Sequence, residues 1–352
     1  MDFDLLRRLC QTPGIAGHED RVLNLAASEL RPLVDEMSTD AMGNVIGVKK
    51  GKGGLRVMVS AHADEIGFLV KHIDDKGFLR LQPVGGWDAR NMMSQRVAVQ
   101  CRDGQPRVGA LQIAAKPIHL LEPGEVKPPK IEEYFVDLGL PADQVKATVD
   151  IGDMVTMDRA FVDNDDTVMS KAMDDRASVF VLIEAMRQIG ETNAEIVAVI
   201  STQEEVGLRG AKTAAFDVKP DIAIGLDVTL AIDIPGSPPE NAVTKLGAGT
   251  AIKVFDSSMV SHPKVVRRLR DLAEQHQIPH QLEILPRGGT DGGAMQLSRG
   301  GAPAATISIP TRYIHTPNEM CAKSDIEATV NLLARFLEDT GAQDFRFRLA
   351  ER

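Results

Sequence analysis

IVAVISTQEE, residues 196–205, decides how this chain folds. Its first six residues are almost wholly apolar. They read as a strand buried on both faces, the form taken in parallel sheets covered by helices. Two adjacent acids, Glu204 and Glu205, follow within four residues. A solvated turn would explain such a pair in isolation. Acids so soon after a buried strand are poorly explained that way, because ligands of open α/β sheets gather beyond the carboxyl ends of strands.

The same form recurs. VMVSAHAD (57–64) ends an apolar run with His62 and Asp64, AIGLD (223–227) with Asp227, and TISIPTRYIH (306–315) with His315. KAMDDR (171–176) puts Asp174 at a helix start, where a short carboxylate sits well against the macrodipole. Each signal has a plainer reading alone: a turn histidine, an N-cap pair at Asp174 and Asp175, a loop histidine. Together, two histidines and several carboxylates suit two divalent cations sharing one bridging carboxylate, hence metal-assisted hydrolysis.

The surrounding rhythm gives the organisation. Helices are expected over 2–11 and 17–33, then strands over 44–49 and 55–60. From 66 to 168 the texture changes to short alternating segments split by Asp-Gly, Lys-Gly and Pro turns, the pattern of a small barrel or sandwich. A helical stretch at 131–138 and a mobile Pro-rich loop at 122–130 are expected within it. After Lys171, helices at 175–189, 208–216, 261–277, 290–298 and 323–340 alternate with apolar strands at 196–201, 222–226 and 304–309. Thr290 or Asp291 is expected to cap the 290–298 helix. The fold class is therefore α/β, a mostly parallel mixed sheet flanked by helices. One domain comprises 1–65 plus 169–352, and the β-rich unit 66–168 is inserted into it.

Composition narrows the function. The chain has 352 residues, 43% apolar and 26% charged, with a net charge of −10. An acidic balance disfavours nucleic acid and anionic membranes, which want clustered Lys and Arg. Three cysteines without a C-x-x-C pair favour a reducing compartment. The start lacks a secretory pattern and no apolar run is long enough for a membrane span, so the cytoplasm is expected. No G-x-S-x-G elbow occurs, and Cys10, Cys101 and Cys321 carry no nucleophile signature, which sets covalent Ser or Cys catalysis aside. The string HED at His18 is no zinc helix, because residue 22 is Val. RGGTDGG (287–293) reads as a flexible loop feeding a helix.

AHADEIGF, SKAMDDR, TQEEVGLRGA, GLDVT and the His315 loop resemble, in order, the motifs of the co-catalytic metallo-aminopeptidases that form tetrahedral particles. That group includes glutamyl and deblocking aminopeptidases and members once labelled endoglucanases. The resemblance spans nearly the whole chain. It implies a zinc-peptidase-like catalytic domain, Asp174 bridging two ions, His62 and Asp227 completing one, and Glu205 and His315 the other. It implies Glu204 as general base and Asp64 as support for His62. It further implies an inserted β-barrel that mediates dimerisation, and dimers assembling into a dodecamer. Zn²⁺ or Co²⁺ fits the mixed N/O donors, as does Mn²⁺. Short peptides are the expected substrates, losing N-terminal residues to water acidified by the ions and deprotonated by Glu204.

Three competing readings remain. A glycoside hydrolase using Glu204 and Asp227 would leave the histidines unexplained, and one Trp and two Tyr make a poor sugar platform. An N-acyl amino-acid deacylase or dipeptidase is chemically nearer. A shell whose metals only stabilise the fold would not need the spare acid Glu204.

Overall fold

The computed structural model describes residues 1–116, 118–120, 128–341 and 343–347. Most of the Pro-rich stretch 122–130 therefore lies outside the described residues. The strands are β1 (Glu36–Thr39), β2 (Val45–Lys49), β3 (Arg56–His62), β4 (Gly67–Ile73), β5 (Leu79–Val84), β6 (Gln95–Gln100), β7 (Pro106–Ile113), β8 (Tyr134–Asp137), β9 (Met154–Met157), β10 (Val162–Asp163), β11 (Thr167–Ser170), β12 (Glu195–Ser201), β13 (Ile222–Leu230), β14 (Thr250–Phe255), β15 (His280–Ile284), β16 (Ala304–Arg312) and β17 (Glu319–Ala322). The α-helices are α1 (Asp4–Gln11), α2 (Asp20–Leu30), α3 (Ala142–Thr148), α4 (Met173–Gln188), α5 (Arg209–Val218), α6 (Pro263–Gln275), α7 (Asp291–Gln296) and α8 (Lys323–Asp339).

Eleven strands form one mixed sheet in the order β1-β2-β12-β3-β13-β16-β17-β11-β10, with β14 and β15 branching from β16. Its central neighbours β12, β3, β13 and β16 run parallel, and antiparallel strands extend both margins. The alternation of a pleated strand explains the two packed faces. On β3, Val57, Val59 and Ala61 enter the core that holds α1, α2, α4, α6 and α8. Met58 points the other way, into a second core with Ala214 and Ala215 of α5 and Met295 of α7. Helices on both faces leave the central strands no wet side, which is why they read as unbroken apolar runs.

The inserted region contains a closed antiparallel six-stranded barrel, β4-β5-β8-β7-β6-β9. Phe68, Val99, Leu111, Tyr134 and Val155 fill it, and Trp87 stacks on Phe68 at 4.6 Å. Here the helix expected at 131–138 is corrected. Residues Ile131–Glu133 form a single 3-10 turn and Tyr134–Asp137 is a barrel strand. The aromatic and β-branched side chains of YFV suit a half-buried pleated surface and override the local helical spacing. The barrel's helix instead starts after Pro141, as α3.

A buried ionic hub joins the start of α4 to the N-terminal segment. Arg176 is fully buried and donates to the carbonyls of Ala63, Leu9, Thr12 and Gly14 at 2.5–3.0 Å. Lys171 meets both carboxylate oxygens of Glu65 at 2.7 and 2.8 Å. Their hydrogen bonds satisfy these charges where burial would otherwise be costly. The residues after β3 are thereby fixed against Asp174.

Candidate metal centre and active site

Asp174, in the first turn of α4, lies between two imidazoles. Its Oδ1 is 3.1 Å from His62 Nε2 and its Oδ2 is 3.3 Å from His315 Nε2. His315 Nε2 is also 3.3 Å from Glu205 Oε1, and Glu204 Oε2 is 3.9 Å from His62 Nε2. Ligand atoms of His62, Asp174 and Glu205 lie within 4.8 Å of one another, as do those of His62, Asp175 and Asp227. His62 is the last residue of β3, while Glu204 and Glu205 follow β12 and His315 follows β16. Asp227 departs from the strand-end expectation: it sits inside β13, which runs on to Leu230.

A second set of carboxylates holds the backbone of these residues. His62 Nδ1 lies 3.0 Å from the Asp64 carbonyl oxygen, which directs Nε2 toward Asp174. The Asp64 carboxylate accepts from the N–H of Glu204 at 3.0 Å and of Glu205 at 3.1 Å. Asp64 thus meets the His62 ring through its carbonyl and, at 3.4 Å, through its carboxylate, which also holds the Glu204–Glu205 turn. Glu19 accepts from Gln203 N at 3.0 Å, and Asp175 Oδ2 from His62 N at 3.2 Å. Glu319 accepts from Asp174 N at 3.1 Å and His315 N at 2.8 Å. Asp291 is no cap: its carboxylate accepts from Ser60 and Ser201 at 2.6 and 2.5 Å, and Thr290 makes no side-chain cap.

Sequence reading missed the parts played by Asp175, Glu319, Glu19 and Asp291. Asp175 looked like half of an N-cap pair. Glu319, four residues after His315, carried the one available hint, an acid beside a candidate ligand.

Burial and like charge govern the electrostatics. Burial pushes Glu204 well above the usual carboxylate range, against the pull of His62 and with the push of Asp227. Asp227 is driven up by burial and by Asp174. For His315, burial opposes the charge, yet hydrogen bonds with Asp174 and Glu205 carry it up to about 12. His62 is likewise held high against burial, by Glu204, Asp174 and Asp64. Burial also works against the charge on Asp174, but bonds with His315 and His62 hold it low. Glu319 rises to about 8 through burial and the Asp174 charge; a cation at the centre acts in the opposite sense.

The donor set fits divalent metal ions. Two imidazole nitrogens converge with buried carboxylates. Asp175 Oδ1 is buried without a hydrogen-bond partner, and Glu205 Oε1 faces the His315 ring at 3.3 Å; such carboxylate oxygens can accept a cation. A cavity of about 460 Å³ opens beside them, bounded also by Leu230, Leu285, Arg287 and Ile314. The barrel closes one side. A Cβ on Gly86 would meet His315 Nδ1 at 3.1 Å, and one on Gly85 would meet Glu205 Oε2 at 3.1 Å.

A profile of the M42 glutamyl aminopeptidase family matches residues 43–332. The chain belongs to the M42 glutamyl aminopeptidase family. Its M42 relatives include a provisional aminopeptidase of Acetivibrio thermocellus, 43% identical over 94% of this chain and 97% of its own length. A lysyl aminopeptidase of Pyrococcus furiosus is 33% identical over 98% and 99%. Among solved structures, an aminopeptidase from Desulfurococcus kamchatkensis superposes with a TM-score of 0.92 at 38% identity, covering 96% of this chain and 94% of its own. The TET1 peptidase of Pyrococcus horikoshii, which assembles into a tetrahedron or a large octahedral shell, gives 0.86 at 29% identity over 96% and 99%. Membership makes the chain a peptide hydrolase of the aminopeptidase class.

Proposed function

We propose that this chain is a metal-dependent aminopeptidase working with two divalent ions. The observation that carries the reading is Asp174, with one oxygen beside each imidazole. Asp174 would be shared by the two ions, His62 and Asp227 would hold one, and Glu205 and His315 the other. Zn²⁺ or Co²⁺ suits the set, and Mn²⁺ is compatible. Bound ions would acidify water and polarise the scissile carbonyl.

The chain's own residues do the rest. Glu204 lines the cavity next to Glu205, and its carboxylate takes the proton of the attacking water and delivers it to the nitrogen of the leaving amine. Asp64 fixes that turn through two backbone N–H groups. Carboxylates lining the cavity offer acceptors for a free α-ammonium group, which favours trimming from the N terminus of short peptides over internal cleavage.

The unit expected at 66–168 is proposed to pair two copies through its barrel, with dimers building a dodecamer; its last residues, in β10 and the start of β11, pair in the eleven-stranded sheet instead. The assemblies of the Pyrococcus horikoshii relative support self-association. No helix among the described residues is long and apolar enough to cross a membrane. Three buried free cysteines support a reducing, cytoplasmic setting.

Aminoacyl-anilide hydrolysis with and without chelator, in wild type and Glu204→Gln, tests the reading. Metal-dependent hydrolysis is expected, with Glu204→Gln at least about 100-fold slower and its metal content unchanged. Full activity in chelator, or in Glu204→Gln, contradicts it.

A further inference from the structure

Glu319 occupies a place that the proposed chemistry does not use. It is 1% exposed, at the start of β17. One of its carboxylate oxygens accepts from the backbone N–H of Asp174 and the other from that of His315. These are the two residues that would hold the His315-side ion together with Glu205.

Other features show why this clamp matters. The ladder between β16 and β17 ends at Arg312 and Met320, so strand pairing does not fix His315. His315 adopts φ +61°, and Tyr313 two residues earlier φ +63°. A residue with a Cβ visits that left-handed region only when its surroundings hold it there. On the other side, β17 pairs with β11 through Glu319 and Ser170, four residues before Asp174. Glu319 therefore stands where the hairpin loop, β11 and the entry to α4 meet. Asp64 does the corresponding job for Glu204 and Glu205. Removing such a support leaves a ligand present but loosely aimed.

We propose that Glu319 is a positioning residue that sets Asp174 and His315 at the spacing needed for the loop-side ion. The inference rests on the two-ion reading above. It acts through two backbones and touches neither substrate nor reacting atoms.

The test is calorimetric titration of Co²⁺ into chelator-stripped full-length protein, in wild type, Glu319→Gln, Glu319→Ala and His315→Ala. Glu319→Gln keeps the shape but replaces one acceptor oxygen by a donor group facing an N–H. Wild type should take up two equivalents. In Glu319→Gln the His315-side equivalent should bind about 10- to 100-fold more weakly, and the other, which shares only Asp174 with it, should weaken far less. The weakened one should be the equivalent that His315→Ala loses, and adding Glu319→Gln to His315→Ala should weaken binding no more than His315→Ala alone. In saturating metal, kcat should recover while KM stays within about threefold of wild type. If Glu319→Ala fails to fold, the Gln variant alone decides. Two equivalents with unchanged affinity in Glu319→Gln, or both weakened equally, overturns the inference. Fewer than two equivalents in wild type overturns the two-ion reading itself, and this inference with it.

Discussion

The two imidazoles reach Asp174 from opposite kinds of backbone. His62 ends β3, between parallel neighbours on both sides, and is 2% exposed. Its ring, its N–H and the residues after it are each held, by Asp64, Asp175 and Arg176 respectively. His315 hangs from a loop in a left-handed conformation, a third of its side chain open, with Glu319 and the barrel glycines as its nearest restraints. One half of the centre is built by the sheet. The other is assembled from a hairpin loop, a helix start and the turn after β12 that carries Glu205, with the barrel beside it. A rigid half can position the catalytic turn permanently, while a loop half can be tuned or opened without unfolding the sheet.

The largest break in this comparison comes from truncating each histidine. In the metal-free protein, His62→Ala should lower unfolding stability by about 3 kcal/mol, because it leaves buried carboxylates without their partner. His315→Ala should cost less, about 1–2 kcal/mol, because its ring also pairs with Asp174 and Glu205 but is a third open to solvent. Chemical denaturation of both variants measures the gap. Equal costs would show that the two halves are not built differently.

A smaller effect should come from the barrel. Gly86→Ala puts a Cβ 3.1–3.3 Å from the His315 ring, so the ring has to give by a few tenths of an ångström. Turnover should fall several-fold, roughly 3- to 10-fold, because small misplacements near the chemistry are amplified. Melting temperature should hardly move. Steady-state kinetics beside a thermal melt checks this, and unchanged kcat would show that the barrel does not constrain His315.

The residues at strand ends were the more legible in the sequence. His62 and Glu204 with Glu205 announce themselves because a buried strand is an apolar run and its end is a change of texture. Asp227 was legible for the same reason, although β13 continues past it. His315 was found from its distance to such a run, but nothing local revealed its left-handed backbone. Asp175, Glu319 and Glu19 stayed hidden for a shared physical reason. They bind backbone N–H groups far away in sequence, and such contacts impose no periodicity on their own neighbourhood. Among the unassigned strands, β1, β14, β15 and β17 are short and carry polar residues such as Glu36, Glu319, Lys253 and Glu283. The last two form a buried pair, Lys253 Nζ to Glu283 Oε1 at 2.5 Å, which a reading by hydropathy takes for surface. The helix misread at 131–138 shows the converse: an isolated local spacing loses to the demand of a closed barrel for another strand.

In the proposed centre two cations share Asp174. A crystal of the full-length protein soaked in Co²⁺, measured at the cobalt absorption edge, tests it most directly. Two anomalous peaks per chain are expected, one between His62 and Asp227 and one between Glu205 and His315, each within bonding distance of an Asp174 oxygen. A single peak, or peaks lying away from Asp174, would contradict it.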